Sequence, residues 1–69
     1  MTAEHLMIRN LYDAELPDDP APAGRCAATM VEAGLRVVSI VQARNGAWHV
    51  FGQGPQSAVA AFLAAEARP

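Results

Sequence analysis

The stretch that decides the fold runs Leu35-Arg36-Val37-Val38-Ser39-Ile40-Val41-Gln42-Ala43-Arg44-Asn45-Gly46-Ala47-Trp48-His49-Val50-Phe51. β-Branched residues fill its first half, Asn45-Gly46 supplies turn chemistry, and an aromatic-rich segment returns. Asn-Gly suits a two-residue type I′ turn, in which both central residues need φ > 0. The pattern predicts a β-hairpin in which Arg44 opposes Ala47, Ala43 opposes Trp48 and Val41 opposes Val50.

Working outward, residues 5–12 predict a first strand, with Leu6 and Ile8 on one face and Met7, Arg9 and Leu11 on the other. A polar loop containing Pro17 follows. Asp19-Pro20 then predicts a helix start, with Asp as N-cap and Pro at the first helical position, where its missing N–H costs nothing. Pro22 and Gly24 weaken the first turn and push the regular helix toward Ala23. Its apolar stripe is Ala23, Cys26, Ala27, Met30 and Val31 at helical spacing, and Gly34 is placed to end it in a left-handed conformation. Beyond the hairpin, Gly52-Gln53-Gly54-Pro55 predicts a break, and Val59, Phe62 and Leu63 mark a second helix reaching Ala67.

The expected fold is therefore a single α+β domain over residues 1–69, of order β-α-β-β-α. A right-handed crossover gives a three-stranded antiparallel sheet of order 1-3-2 with both helices on one face. This is a ferredoxin-like arrangement lacking its last strand, with two sheet edges left open to pairing.

With 69 residues the chain has room for one modest core, and domains of this size are marginal without a staple. Cys26 is the lone cysteine, so no internal disulfide forms, and a reducing compartment is expected. His5 and His49 are distant from it and from each other, which gives no metal-ligand spacing. Self-association or docking on a partner is the remaining supplement. No signal-peptide pattern and no apolar run of about 20 residues is present, so a soluble cytoplasmic protein without membrane contact is expected.

The net charge is −2, there is no lysine, and the five arginines (9, 25, 36, 44 and 68) are scattered. That is no basic stripe, and direct nucleic-acid binding is not expected. Four acids, Asp13, Glu15, Asp18 and Asp19, are by contrast clustered. They form either a solvated loop that stabilises a helix start or an anionic patch that selects a basic protein surface.

The hairpin register sorts residues by face, because cross-strand partners share one. Val37, Ser39, Val41, Ala43, Trp48, Val50 and Gly52 fall on one face, and Arg36, Val38, Ile40, Gln42, Arg44, His49 and Phe51 on the other. If helices cover the first, Val38, Ile40 and Phe51 remain outside, with Met7 or Leu11 beside them. Twist, the termini or a bulge would account for these residues, and so would a second buried surface formed with another chain. If the faces are inverted, Trp48 becomes the exposed aromatic.

Catalytic signals are sparse. Gly52-Gln53-Gly54-Pro55-Gln56-Ser57 lacks the third glycine of a dinucleotide fingerprint and follows the return strand of a hairpin. His49 lies where it can pair with Gln42 across the strands, Cys26 lies on a helix's apolar stripe, and no Ser/His/Asp arrangement is legible. A non-enzymatic protein with no cofactor is expected, a small enzyme of ferredoxin-like fold being the weaker rival.

A small acidic α+β chain with an acidic loop, in which a helix runs into a hairpin with an Asn-Gly turn and an aromatic just after it, resembles phage-encoded inhibitors, particularly small anti-CRISPR proteins. The segment that carries the likeness is Val37-Val38-Ser39-Ile40-Val41-Gln42-Ala43-Arg44-Asn45-Gly46-Ala47-Trp48-His49-Val50. The likeness is one of pattern and carries over no functional residue. It implies stoichiometric binding to a subunit of a type I CRISPR effector, blocking target-DNA recognition or nuclease recruitment. The modest net charge departs from extensive DNA mimicry. On this reading Asp13, Glu15, Asp18 and Asp19 are the polar contacts, and Trp48 or Phe51 is the apolar anchor. The alternative is a small accessory or ligand-binding subunit of a bacterial metabolic enzyme, forming a homodimer through the open sheet.

Overall fold

The computed structural model describes residues 3–68. The elements are β1 (His5–Leu11), α1 (Ala21–Ala33), β2 (Arg36–Gln42), β3 (Trp48–Gly54) and α2 (Gln56–Glu66). The strands form one antiparallel sheet of order β1-β3-β2, as expected. A single core lies between one sheet face and the two helices.

That core is small. Met30, Leu35, Val50 and Phe62 are its large buried members, filled in by Ala23 and Ala58. Met7, Leu11, Val37, Trp48 and Val59 pack around it. The core face of β3 carries Trp48, Val50, Gly52 and Gly54, the last three buried. The two glycines are there because α1 ends close against the strand. A Cβ on Gly52 would stand 2.7 Å from Met30 Sδ, and one on Gly54 would stand 3.0 Å from Leu35 Cδ2. Gly52–Gly54 is therefore strand and helix seat rather than the expected break, and β3 runs through Gly54.

Helix α1 starts at Ala21, earlier than its proline and glycine suggest, because Pro22 sits in the first turn, where no N–H is required. Pro20, already helical at φ −78° and ψ −9°, occupies the cap position expected of Asp19. The Asp19 carboxylate still accepts the Ala21 N–H at 3.0 Å. At the other end Gly34 takes φ +101°. Its N–H bonds Val31 O at 3.0 Å, and the Leu35 N–H bonds Met30 O at 2.9 Å. This is a Schellman cap, and its usual apolar contact is made between Leu35 and Met30 within the core.

Two stripe assignments change. Val31 and Leu63 are exposed, whereas Ala58 joins Phe62 on the buried side of α2. Pro55, extended at ψ 160°, is the N-cap of α2.

The hairpin departs from the expected register by one residue. Ala43 N–H bonds Ala47 O at 2.8 Å and Gly46 N–H bonds Ala43 O at 3.0 Å, so the loop is Arg44-Asn45-Gly46, three residues long. Only Gly46 has positive φ, at +90°. Asn45 contributes through its side chain, whose Oδ1 accepts the Ala47 N–H at 3.0 Å. Three-residue loops that end in a left-handed glycine are the next commonest hairpin after the two-residue kind.

A one-residue slip exchanges faces. Ile40 pairs with Val50 on the helix side, and Ser39 and Val41 pair with Phe51 and His49 on the bare side. A bulge at Val38 slips the register again, returning Val37 and Arg36 to their expected faces opposite Gly52 and Gln53. On β1, Met7 and Leu11 face the helices, and Leu6 and Ile8 take the outer positions opposite Gln53 and Phe51.

Candidate functional site

Two surfaces carry the residues singled out by sequence other than Trp48, and the structure separates them. The first is the acidic loop, residues 12–20, seated at the hairpin tip. Pro17 lies directly against Gly46, whose Cβ, if present, would stand 2.9 Å from Pro17 O. Gln42 Nε2 donates to Asp18 Oδ1 at 3.0 Å, which ties the loop to the end of β2. Asp13 Oδ1 accepts the Glu15 N–H at 2.9 Å, forming an Asx turn, and Leu16 N–H bonds Asp13 O at 3.2 Å. Asp13, Asp18 and Asp19 thus each fix local backbone or a neighbouring side chain. Asp13 and Asp18 are exposed and Asp19 is half-buried.

Sequence reasoning missed the apolar members of this loop. Tyr12 and Leu16 stand 57% and 59% exposed among the acids. The sequence pattern extends the first strand to Tyr12, but β1 ends at Leu11. Nothing in the hydropathy pattern tells an exposed Leu16 from a buried one, because its exposure follows from how Pro17 seats the loop.

The second surface is the sheet face opposite the helices. Leu6, Ile8 and Val41 are exposed there around Phe51, which is half-buried. Val38 is exposed beside them at the bulge. The polar groups on this face bond to one another. Arg36 donates to Gln53 Oε1 at 3.1 Å and meets Glu4 at 3.4 Å. His49 Nδ1 pairs with Asn10 Oδ1, across from β1 rather than with Gln42. Phe51 therefore belongs to this face and not to the acidic loop.

Trp48 is not an exposed anchor on either surface. It lies half-buried on the helix side against the core, and its Nε1 is buried with no hydrogen-bond partner among the described residues. The one-residue slip does not move it, since β3 keeps the faces expected for it.

A charged cluster lies over the β1 side of α2. Arg9 makes a two-pronged contact with Glu66, one arm being Nε to Oε2 at 2.8 Å. Its guanidinium also stacks over the Phe62 ring, 5.4 Å from the centroid. The hydrogen bond from Arg9 holds the Glu66 carboxyl below its ordinary pKa. Burial, followed by the charge of Glu66, pushes the nearby Cys26 thiol up, so Cys26 is a protonated small hydrophobe and not an activated nucleophile.

Because Glu66 is depressed in the fold, the pair stabilises fully above the ordinary glutamate pKa of about 4.3. That stabilisation is lost as pH falls through the lower folded value. The side chains are 30% and 35% exposed, so solvent screening limits the effect to about 1 kcal/mol or less. Glu66→Gln is expected to lower the melting temperature by a few degrees at pH 7 and to leave it unchanged near pH 2, as measured by thermal melts across that range.

An open groove between α1 and α2 is lined by Thr29, Glu32, Ala33, Ala61, Ala65 and Arg68. No group of three potential metal ligands occurs among the described residues. No helix there is long and apolar enough to cross a membrane. No family model, curated protein or solved structure matches the chain.

Proposed function

We propose that this chain is a non-enzymatic, stoichiometric inhibitor that binds a protein partner through the loop 12–19. The carrying observation is that two large apolar side chains, Tyr12 and Leu16, are held out in solvent within an acidic loop that is itself tied down. Asx-turn, cap and hairpin contacts order the loop in advance, so binding pays little further ordering entropy. The acids steer the encounter and select a basic surface, while the two apolar residues supply the contact that holds it.

The partner class to which the resemblance points is a subunit of a type I CRISPR effector, whose DNA-binding grooves are basic. Capture of the purified effector on immobilised protein tests this. Asp13, Asp18 and Asp19 also work as hydrogen-bond acceptors, so the informative variant replaces them with Asn and Glu15 with Gln, which removes charge and retains acceptors. Capture is expected to fall at least tenfold for that variant and for Tyr12→Ser with Leu16→Ser. Equal capture by wild type and both variants would refute the loop as the contact.

A further inference from the structure

We propose that Asn45 is a site of spontaneous deamidation, and that the loop 12–19 sets its rate by covering the nucleophile. In an Asn-Gly pair the main chain can attack the preceding side chain, because Gly46 has no Cβ to hinder the approach. The Gly46 nitrogen gives up its proton and bonds Asn45 Cγ. The side-chain amide takes up that proton through water and leaves as ammonia. A water molecule then opens the cyclic imide at either carbonyl. Opening at Cγ leaves aspartate, and opening at the main-chain carbonyl leaves isoaspartate, with the backbone rerouted through Cγ. Water is consumed and ammonia released, with no oxidant or reductant.

The fold treats the two reacting groups differently. Asn45 is exposed, so water reaches its amide. Its Oδ1 accepts the Ala47 N–H at 3.0 Å, and a donor on that oxygen draws electron density from Cγ, which favours attack there. The nitrogen is guarded instead. Gly46 is buried, and its N–H is committed to Ala43 O at 3.0 Å. Pro17 lies over the residue, its carbonyl oxygen 2.9 Å from where a Cβ would stand. Proton loss requires that N–H to meet water, and so requires local opening of the tip. The cover comes from a distant segment, tied to β2 by the bond from Gln42 Nε2 to Asp18 Oδ1 at 3.0 Å. Either product adds a carboxylate at the tip. Isoaspartate also lengthens the backbone by one carbon beside Gly46, which displaces that glycine from its seat under Pro17. Conversion therefore releases the loop irreversibly, whatever the loop binds.

Incubation of the full chain in mildly alkaline buffer reads the rate at Asn45, by tandem mass spectrometry and by labelling with isoaspartyl methyltransferase. Folded wild type is expected to convert at least about tenfold more slowly than the same chain unfolded in urea. Gln42→Ala and Pro17→Gly each loosen the cover and leave the Asn45-Gly46 pair in place. With folding confirmed by circular dichroism, each is expected to convert about threefold faster than wild type, or more. Conversion of folded wild type as fast as the unfolded chain, or wild-type rates in both folded variants, would overturn the proposal.

Discussion

Phe62→Ala is expected to unfold most of the protein at room temperature. Phe62 is the largest fully buried side chain, and truncation of a buried Phe costs about 3–5 kcal/mol in transfer and cavity terms. A domain of 69 residues has only about 3–10 kcal/mol in total, at 0.05–0.15 per residue. The loss is therefore comparable to the whole stability. It also removes the ring beneath the Arg9 guanidinium, leaving the Glu66 pair without its platform. Neighbouring alanines, Ala23 and Ala58, have no side-chain length with which to collapse into the hole. Thermal melts followed by circular dichroism check this, with Phe62→Leu as the milder comparison. A melting temperature within a few degrees of wild type for Phe62→Ala would contradict the placement of this ring at the centre of the core.

Gly46→Ala is expected to be the costliest single-methyl change outside the core. The residue sits at φ +90°, where an L side chain is strained, and its Cβ would meet the Pro17 backbone carbonyl at 2.9 Å. Left-handed strain costs about 1–3 kcal/mol, and the clash cannot be relieved by a rotamer because the obstacle is backbone. Relief requires the loop to lift away from the hairpin tip, which also breaks the Asp18–Gln42 contact. A melting temperature lowered by roughly 5–15 °C is expected, with faster amide hydrogen exchange confined to the loop and turn. Unchanged exchange in the loop would show that it is not held by the hairpin.

The order of elements, the strand order and the helix cap at Gly34 were legible because each rests on local chemistry: alternation, turn residues and a glycine after an apolar stripe. The hairpin register was not. Asn-Gly is compatible with both two- and three-residue loops, and what distinguishes them here is Pro17 packed against Gly46, a contact from a distant segment. The bulge at Val38 left no trace in a run of β-branched residues. The glycines of β3 looked like a break because their reason, the close approach of Met30 and Leu35, is tertiary.

The clustering of the acids is legible in the sequence, and Phe51 lies outside the helix-covered face as the alternation predicts. Trp48 stands on the helix-covered face that the hairpin alternation gives it, half-buried against the core, which leaves little of it to serve as an anchor. Tyr12 escapes notice as the last residue of an apparent strand, and Leu16 as one apolar residue in a polar loop, because neither position carries a local mark of its exposure.

The most direct measurement is target-DNA binding by a purified type I CRISPR effector, titrated with this protein. Wild type at a stoichiometric ratio is expected to abolish DNA binding or, where DNA still binds, nuclease recruitment, while Tyr12→Ser with Leu16→Ser leaves both intact. Undiminished DNA binding and undiminished nuclease recruitment in the presence of excess folded wild type would contradict the proposed inhibition.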